Sequence, residues 1–60
     1  MTEEADIFGA ATALIDLHGE KATVIAAENF VQLHKIGDGD GIATWANIMI
    51  AIRELKKGNN

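Results

Sequence analysis

Apolar residues recur at helical intervals along three stretches of the chain. In the first stretch, Ile7, Ala11 and Leu14 follow one another at spacings that place them on one face of an α-helix. Acidic residues stand near its beginning, where they lie at the positive end of the helix dipole. The pattern predicts a first helix over residues 3–18.

The second stretch, residues 20–36, combines a narrow polar stripe with a wide apolar arc. The polar stripe recurs at helical intervals and consists of Lys21, Glu28, Gln32 and Lys35. The arc consists of Ala22, Ala26, Phe30 and Leu33, flanked by Val24, Ile25, Ala27 and Val31. The β-branched run at 23–25 has strand propensity, but the alanines and the helical period of the stripe favour a helix.

The third stretch, residues 38–57, carries more apolar surface than one helix face requires. Its apolar face consists of Ile42, Trp45, Ile48, Met49, Ile52 and Leu55. The polar strip predicted beside it consists of Thr44, Asn47, Ala51 and Glu54. We therefore predict an all-α fold that forms a single domain over residues 1–60. Its three helices are expected to form a bundle in which helices two and three make an antiparallel hairpin.

Four residues are predicted to begin or end these helices. Thr2 is a candidate N-cap of the first helix, because a hydroxyl can accept a hydrogen bond from a free N–H of the first turn. Gly19 and Gly37 follow the first and second helices, where a left-handed residue is usually glycine. Asp38 is expected to cap the third helix through its carboxylate.

The glycine and aspartate run at residues 37–41 also invites comparison with ligand-binding loops. An EF-hand calcium loop ends on a bidentate glutamate six residues after its invariant glycine. With Gly41 as that glycine, Asn47 stands where the glutamate is needed. A phosphate-binding P-loop needs lysine and a hydroxyl after its glycines, whereas two apolar residues follow here. We therefore expect a corner between helices, without a metal.

The residue content argues against an enzyme. Serine and cysteine are absent, so neither a Ser–His nor a Cys–His nucleophile can be built. The only histidines, His18 and His34, are too far apart in sequence to share one helical face, and a metal needs more ligands than either could gather with a neighbouring carboxylate. We expect no catalytic residue and no cofactor.

Sixty residues make a short chain for an independent fold. A chain of this length hides only about 60% of the surface that it exposes when unfolded, so small domains usually need a disulfide, a metal or a partner subunit. Because cysteine is absent, we expect homo-oligomerisation, with another protein as the other possible partner. The candidate core or interface residues are Phe30, Ile42, Trp45, Ile48, Met49 and Ile52.

The net charge of -4 opposes binding to nucleic acid, which depends on clustered lysine and arginine. The amino-terminal residues are acidic where a secretory signal needs bases, and no run approaches the roughly 20 apolar residues of a membrane span. We therefore expect a cytoplasmic protein with neither nucleic acid nor a membrane among its partners.

Several segments resemble a family of short bacterial all-helical proteins of unknown function. They are the run ALIDLHG at 13–19, the Gly-Asp corner at 37–38, Gly41, and a Trp-x-x-Ile-x-x-Ala-Ile seam that begins at Trp45. The resemblance covers roughly residues 10–55. It implies a helical fold, and it implies no activity, cofactor or catalytic residue.

Three functions remain open. The leading hypothesis is a non-catalytic homodimeric adaptor or regulator, because the apolar arcs are broader than one short chain can cover. The second is a helix-turn-helix nucleic-acid binder with the third helix as reader, although Asp38 and Asp40 stand where cations or amides are needed. The third is a small inhibitor whose acidic first third covers a basic surface of a larger enzyme.

Overall fold

The computed structural model describes residues 4–58. It contains α1 (Glu4–His18), a 3-10 turn (Gly19–Lys21), α2 (Ala22–Ile36) and α3 (Gly39–Gly58). This range contains no strand, so the all-α prediction is confirmed for it, including the β-branched run at 23–25, which lies in α2. The candidate N-cap Thr2 lies outside the described residues.

The prediction of three separate helices is wrong in one respect. Helical structure continues without a break from residue 4 to residue 36, so the described chain has two uninterrupted helical segments. The first segment changes direction within the 3-10 turn, where Gly19 adopts a left-handed conformation with φ of 58°. The N–H of Ala22 donates to the Gly19 carbonyl, and this hydrogen bond carries helical structure directly from the turn into α2.

The real break lies between α2 and α3 and is two residues long. Gly37 has a left-handed conformation with φ of 75°, and its N–H donates to the His34 carbonyl. The N–H of Asp38 donates to the Leu33 carbonyl at 3.0 Å. These two bonds form a Schellman motif, which satisfies carbonyls that the end of a helix would otherwise leave unpaired.

Helix α3 is the central element of the fold. It packs against both α1 and α2, whereas those two helices contact each other much less. The buried core consists of Ile7, Ala11, Ala22, Ala26, Ile48, Ala51 and Ile52. Since four of these seven residues are alanines, the helices can approach closely but bury few large side chains.

The burial of Ala51 corrects the predicted polar strip of the third helix. Ala51 is only 2% exposed and belongs to the core, beside Ile52. The sequence pattern assumes one buried face, but α3 is covered by two helices, and its buried arc is correspondingly wider.

None of the helices within residues 4–58 has both the length and the apolar character needed to cross a bilayer.

Candidate functional site

The outward face of α2 carries an apolar stripe. Val24 is 55% exposed and Val31 is 50% exposed, while Ala27 between them is partly buried. Ala22 and Ala26 face the core from the same helix and are fully buried. Because each residue turns an α-helix by about 100°, Val24 lies roughly 200° around the helix from Ala22. We call Val24, Ala27 and Val31 the α2 stripe.

Polar residues border the α2 stripe. Thr23, Glu28 and Gln32 lie along it and, together with the three apolar residues, line an open apolar depression on the surface of α2. This depression is shallow and open to solvent. It could therefore contact a helix or a flat protein surface more readily than it could enclose a small molecule.

The predicted core or interface residues divide into two groups. Ile48 and Ile52 are buried in the core. Phe30, Ile42, Trp45 and Met49 are only partly buried, and of these Trp45 and Met49 pack against the core cluster. The single tryptophan therefore covers the rim of the core and does not anchor its centre.

Sequence reasoning missed which large apolar side chains are most exposed in the described part of the chain. They are Leu17, Val24, Val31, Ile36 and Ile50, each at least half exposed. Val24 and Val31 flank the predicted apolar arc of α2, and only the part of that arc around Ala22 and Ala26 is fully buried. The available signal was the width of the arc, which exceeds the face that one neighbouring helix can cover.

The glycine and aspartate corner contributes a close helix contact. A Cβ atom added at Gly41 would lie 3.0 Å from Leu33 Cδ1 and 2.8 Å from Asp38 Oδ2. Gly41 thus lets the beginning of α3 approach the end of α2. In α1, by contrast, a Cβ atom added at Gly9 would have no neighbour within 4 Å, so no other helix packs closely against this glycine.

Neither histidine is placed in a ligand cluster. His34 is exposed, and its ring centroid lies 6.4 Å from that of Phe30 on the preceding turn of α2. His18 is exposed at the end of α1. Across residues 4–58, histidine, aspartate and glutamate side chains do not gather in groups of three that could hold a metal ion.

The chain matches no protein-family model, and neither a curated protein nor a solved structure is significantly similar to it. The resemblance to short bacterial helical proteins therefore stays a prediction.

Proposed function

We propose that this chain is a small non-catalytic interaction protein of the cytoplasm that acts as a homodimeric adaptor or regulator. The observation that supports the proposal is the imbalance between its core and its surface. The core holds three isoleucines and four alanines, while five larger apolar side chains of the described residues are at least half exposed.

The energies of burial explain why this imbalance favours association. Full burial of an isoleucine side chain contributes about 1.5–3 kcal/mol, whereas the single methyl of alanine contributes only about 0.8 kcal/mol. Ile52 is the only large side chain in the described part of the chain that is fully buried. A core of this kind stabilises a monomer weakly, and covering Val24, Val31 or Ile50 with a partner would add apolar burial that the monomer lacks.

We also propose that α2 and α3 form an antiparallel hairpin. The two-residue connection supports it, since so short a link brings the end of α2 next to the start of α3. Leu33, near the end of α2, lies against Gly41, near the start of α3. Ala22 and Ile52, from the opposite ends of the same helices, share the core. Nuclear Overhauser contacts between Ala22 and the last turns of α3 would test this arrangement.

The charge distribution favours a protein partner over nucleic acid, since the chain carries a net charge of -4. The acidic residue Asp40 lies in the first turn of α3, where a reading helix needs cations or amides.

Sedimentation equilibrium over a concentration series tests the proposed homodimer. We expect a dimer mass at tens of micromolar and dissociation on dilution, together with a melting temperature that rises with protein concentration. A monomer mass throughout, with cooperative melting that does not depend on concentration, would contradict the proposal.

A further inference from the structure

Helix α3 is covalently joined to the other helices only through Gly37 and Asp38. Residues 4–36 form one helical segment, and most contacts between helices run from α3 to the two helices of this segment. The segment contributes Ile7, Ala11, Ala22 and Ala26 to the core. Because two copies of the chain are identical, the surface that these residues form fits the α3 of a second copy as well as its own.

Two residues separate α2 and α3 from a single continuous helix. Gly37 has a left-handed conformation, and Asp38 is the N-cap of α3. Gly39 and Gly41 already lie within α3. If Gly37 and Asp38 adopted helical dihedrals, which both residue types allow, the chain would form one helix over residues 22–58, roughly 55 Å long.

The interactions that hold this corner closed are local. The N–H groups of Gly37 and Asp38 donate to carbonyls of α2, and the Asp38 carboxylate accepts from Gly41. A continuous helix would lose this cap. The N–H groups of Gly39 and Asp40, which have no intrahelical acceptor in the first turn of α3, would instead gain acceptors in α2. Because all of these bonds lie at the corner, opening it leaves the core faces of the helices intact.

We propose that two copies of this chain exchange α3 when the corner opens, and that the left-handed Gly37 keeps α3 packed in its own chain. In the exchanged dimer, each copy has a continuous α2–α3 helix, and its α3 packs against α1 and α2 of its partner. The core of each half then has the same residues as the closed chain. This inference goes beyond the proposed homodimer, which associates through exposed side chains, and does not depend on it.

Gly37→Ala tests the role of the left-handed residue. An alanine here disfavours the closed corner about 5- to 30-fold through its Cβ atom and favours a continuous helix about fivefold through helix propensity. The exchanged dimer contains two such corners, so both factors apply twice. We therefore expect the dimerisation constant, measured by sedimentation equilibrium, to rise on the order of 1,000-fold.

Asp38→Ala tests the same corner while Gly37 is retained. It removes a cap that exists only in the closed form and should raise the dimerisation constant at least about 10-fold. This second variant keeps the test valid if Gly37→Ala does not fold.

Substitutions at Gly39 are the matched controls. Gly39→Ala adds a methyl group at a residue that is helical in both forms, so it should change dimerisation far less. Gly39→Pro is compatible with the closed corner, because proline suits the first position of a helix and the N-cap Asp38 precedes it. Within a continuous helix, the same proline would clash with the Lys35 carbonyl. We therefore expect Gly37→Ala/Gly39→Pro to return to the association state of the parent.

Isotope-filtered nuclear Overhauser spectra identify which chain supplies α3. In labelled and unlabelled Gly37→Ala refolded together, we expect contacts between chains from Ala22 or Ala26 to Ile52, which share the core. Association without such contacts, or no stronger than that of Gly39→Ala, would overturn the proposed exchange. So would a Gly37→Ala/Gly39→Pro variant that associates as strongly as Gly37→Ala. A monomeric parent, by contrast, would overturn only the proposed homodimer.

Discussion

The carboxylate Oδ1 of Asp38 accepts a hydrogen bond from the backbone N–H of Gly41 at 3.1 Å. Asp38 is thereby the N-cap of α3, while its own N–H donates to the Leu33 carbonyl at the end of α2. One residue therefore satisfies backbone groups of both helices. This double role explains how a connection of two residues can join α2 and α3.

Loss of this cap should destabilise the fold without involving a metal. Asp38→Ala leaves the Gly41 N–H without its side-chain acceptor and is expected to lower the free energy of unfolding by about 1 kcal/mol. Urea denaturation at a fixed protein concentration measures the change. Asp40→Ala is the control, since it leaves the Asp38 hydrogen bond in place. An increase in parent stability on addition of calcium would contradict the interpretation of this corner as purely structural.

Gly37 is required by its backbone conformation. Its φ of 75° lies in the left-handed region, where a Cβ atom costs about 1–2 kcal/mol. Gly37→Ala should lower the free energy of unfolding by about that amount, even though a Cβ atom there would meet no neighbour within 4 Å. Gly39→Ala, two residues later and without positive φ, is the matched control. Equal effects of the two substitutions would exclude backbone strain as the cause.

Gly9 should be replaceable with a gain in stability. It lies inside α1, and a Cβ atom there would have open space around it. Gly9→Ala is therefore expected to raise the free energy of unfolding by about 1 kcal/mol, the difference in helix propensity between the two residues. Thermal melting at a fixed concentration would show this gain. A loss of stability would mean that another helix packs closely at this position.

Gly41 should respond differently, because a Cβ atom there would collide with the Asp38 carboxylate. Gly41→Ala gains helix propensity but displaces the cap, so we expect a net change at least about 1 kcal/mol less favourable than that of Gly9→Ala. In the Asp38→Ala background the penalty should largely disappear. A double-mutant cycle measures this coupling, and simple additivity would contradict it.

Two isoleucines of α3 should differ sharply. Ile52 is fully buried and Ile50 is 57% exposed. Ile52→Ala leaves a cavity in the core and should lower the free energy of unfolding by about 2–5 kcal/mol. Ile50→Ala makes the same substitution at an exposed position and should change the free energy of unfolding by less than about 0.5 kcal/mol. Denaturation at a concentration below the dimer dissociation constant makes the comparison. Similar losses would mean that Ile50 is also buried.

The ends of the helices could be predicted because they depend on neighbouring residues. His18 and Ile36 end α1 and α2 at the predicted positions, each followed by a glycine with positive φ. The boundary after His18 was predicted but not its form, since a 3-10 turn takes the place of a break. Whether the chain breaks after His18 or continues through a 3-10 turn depends on where α2 packs in the fold.

The width of the apolar arc indicates that part of α2 stays exposed, but the residues of α2 do not say which part. Val24 and Val31 have the same apolar character as side chains that are buried, and only the position of α3 against Ala22 and Ala26 leaves them exposed. The same limit applies to Ala51, which is buried because two helices cover α3.

The sequence by itself determined that the chain is helical and where Gly19, Gly37 and Asp38 end or cap its helices. These properties arise from backbone dihedrals and hydrogen bonds that span only a few residues. Only the tertiary structure decided which apolar faces are covered, because burial depends on which helices meet in space. The helix period alone cannot tell a side chain that meets α3 from one that meets water.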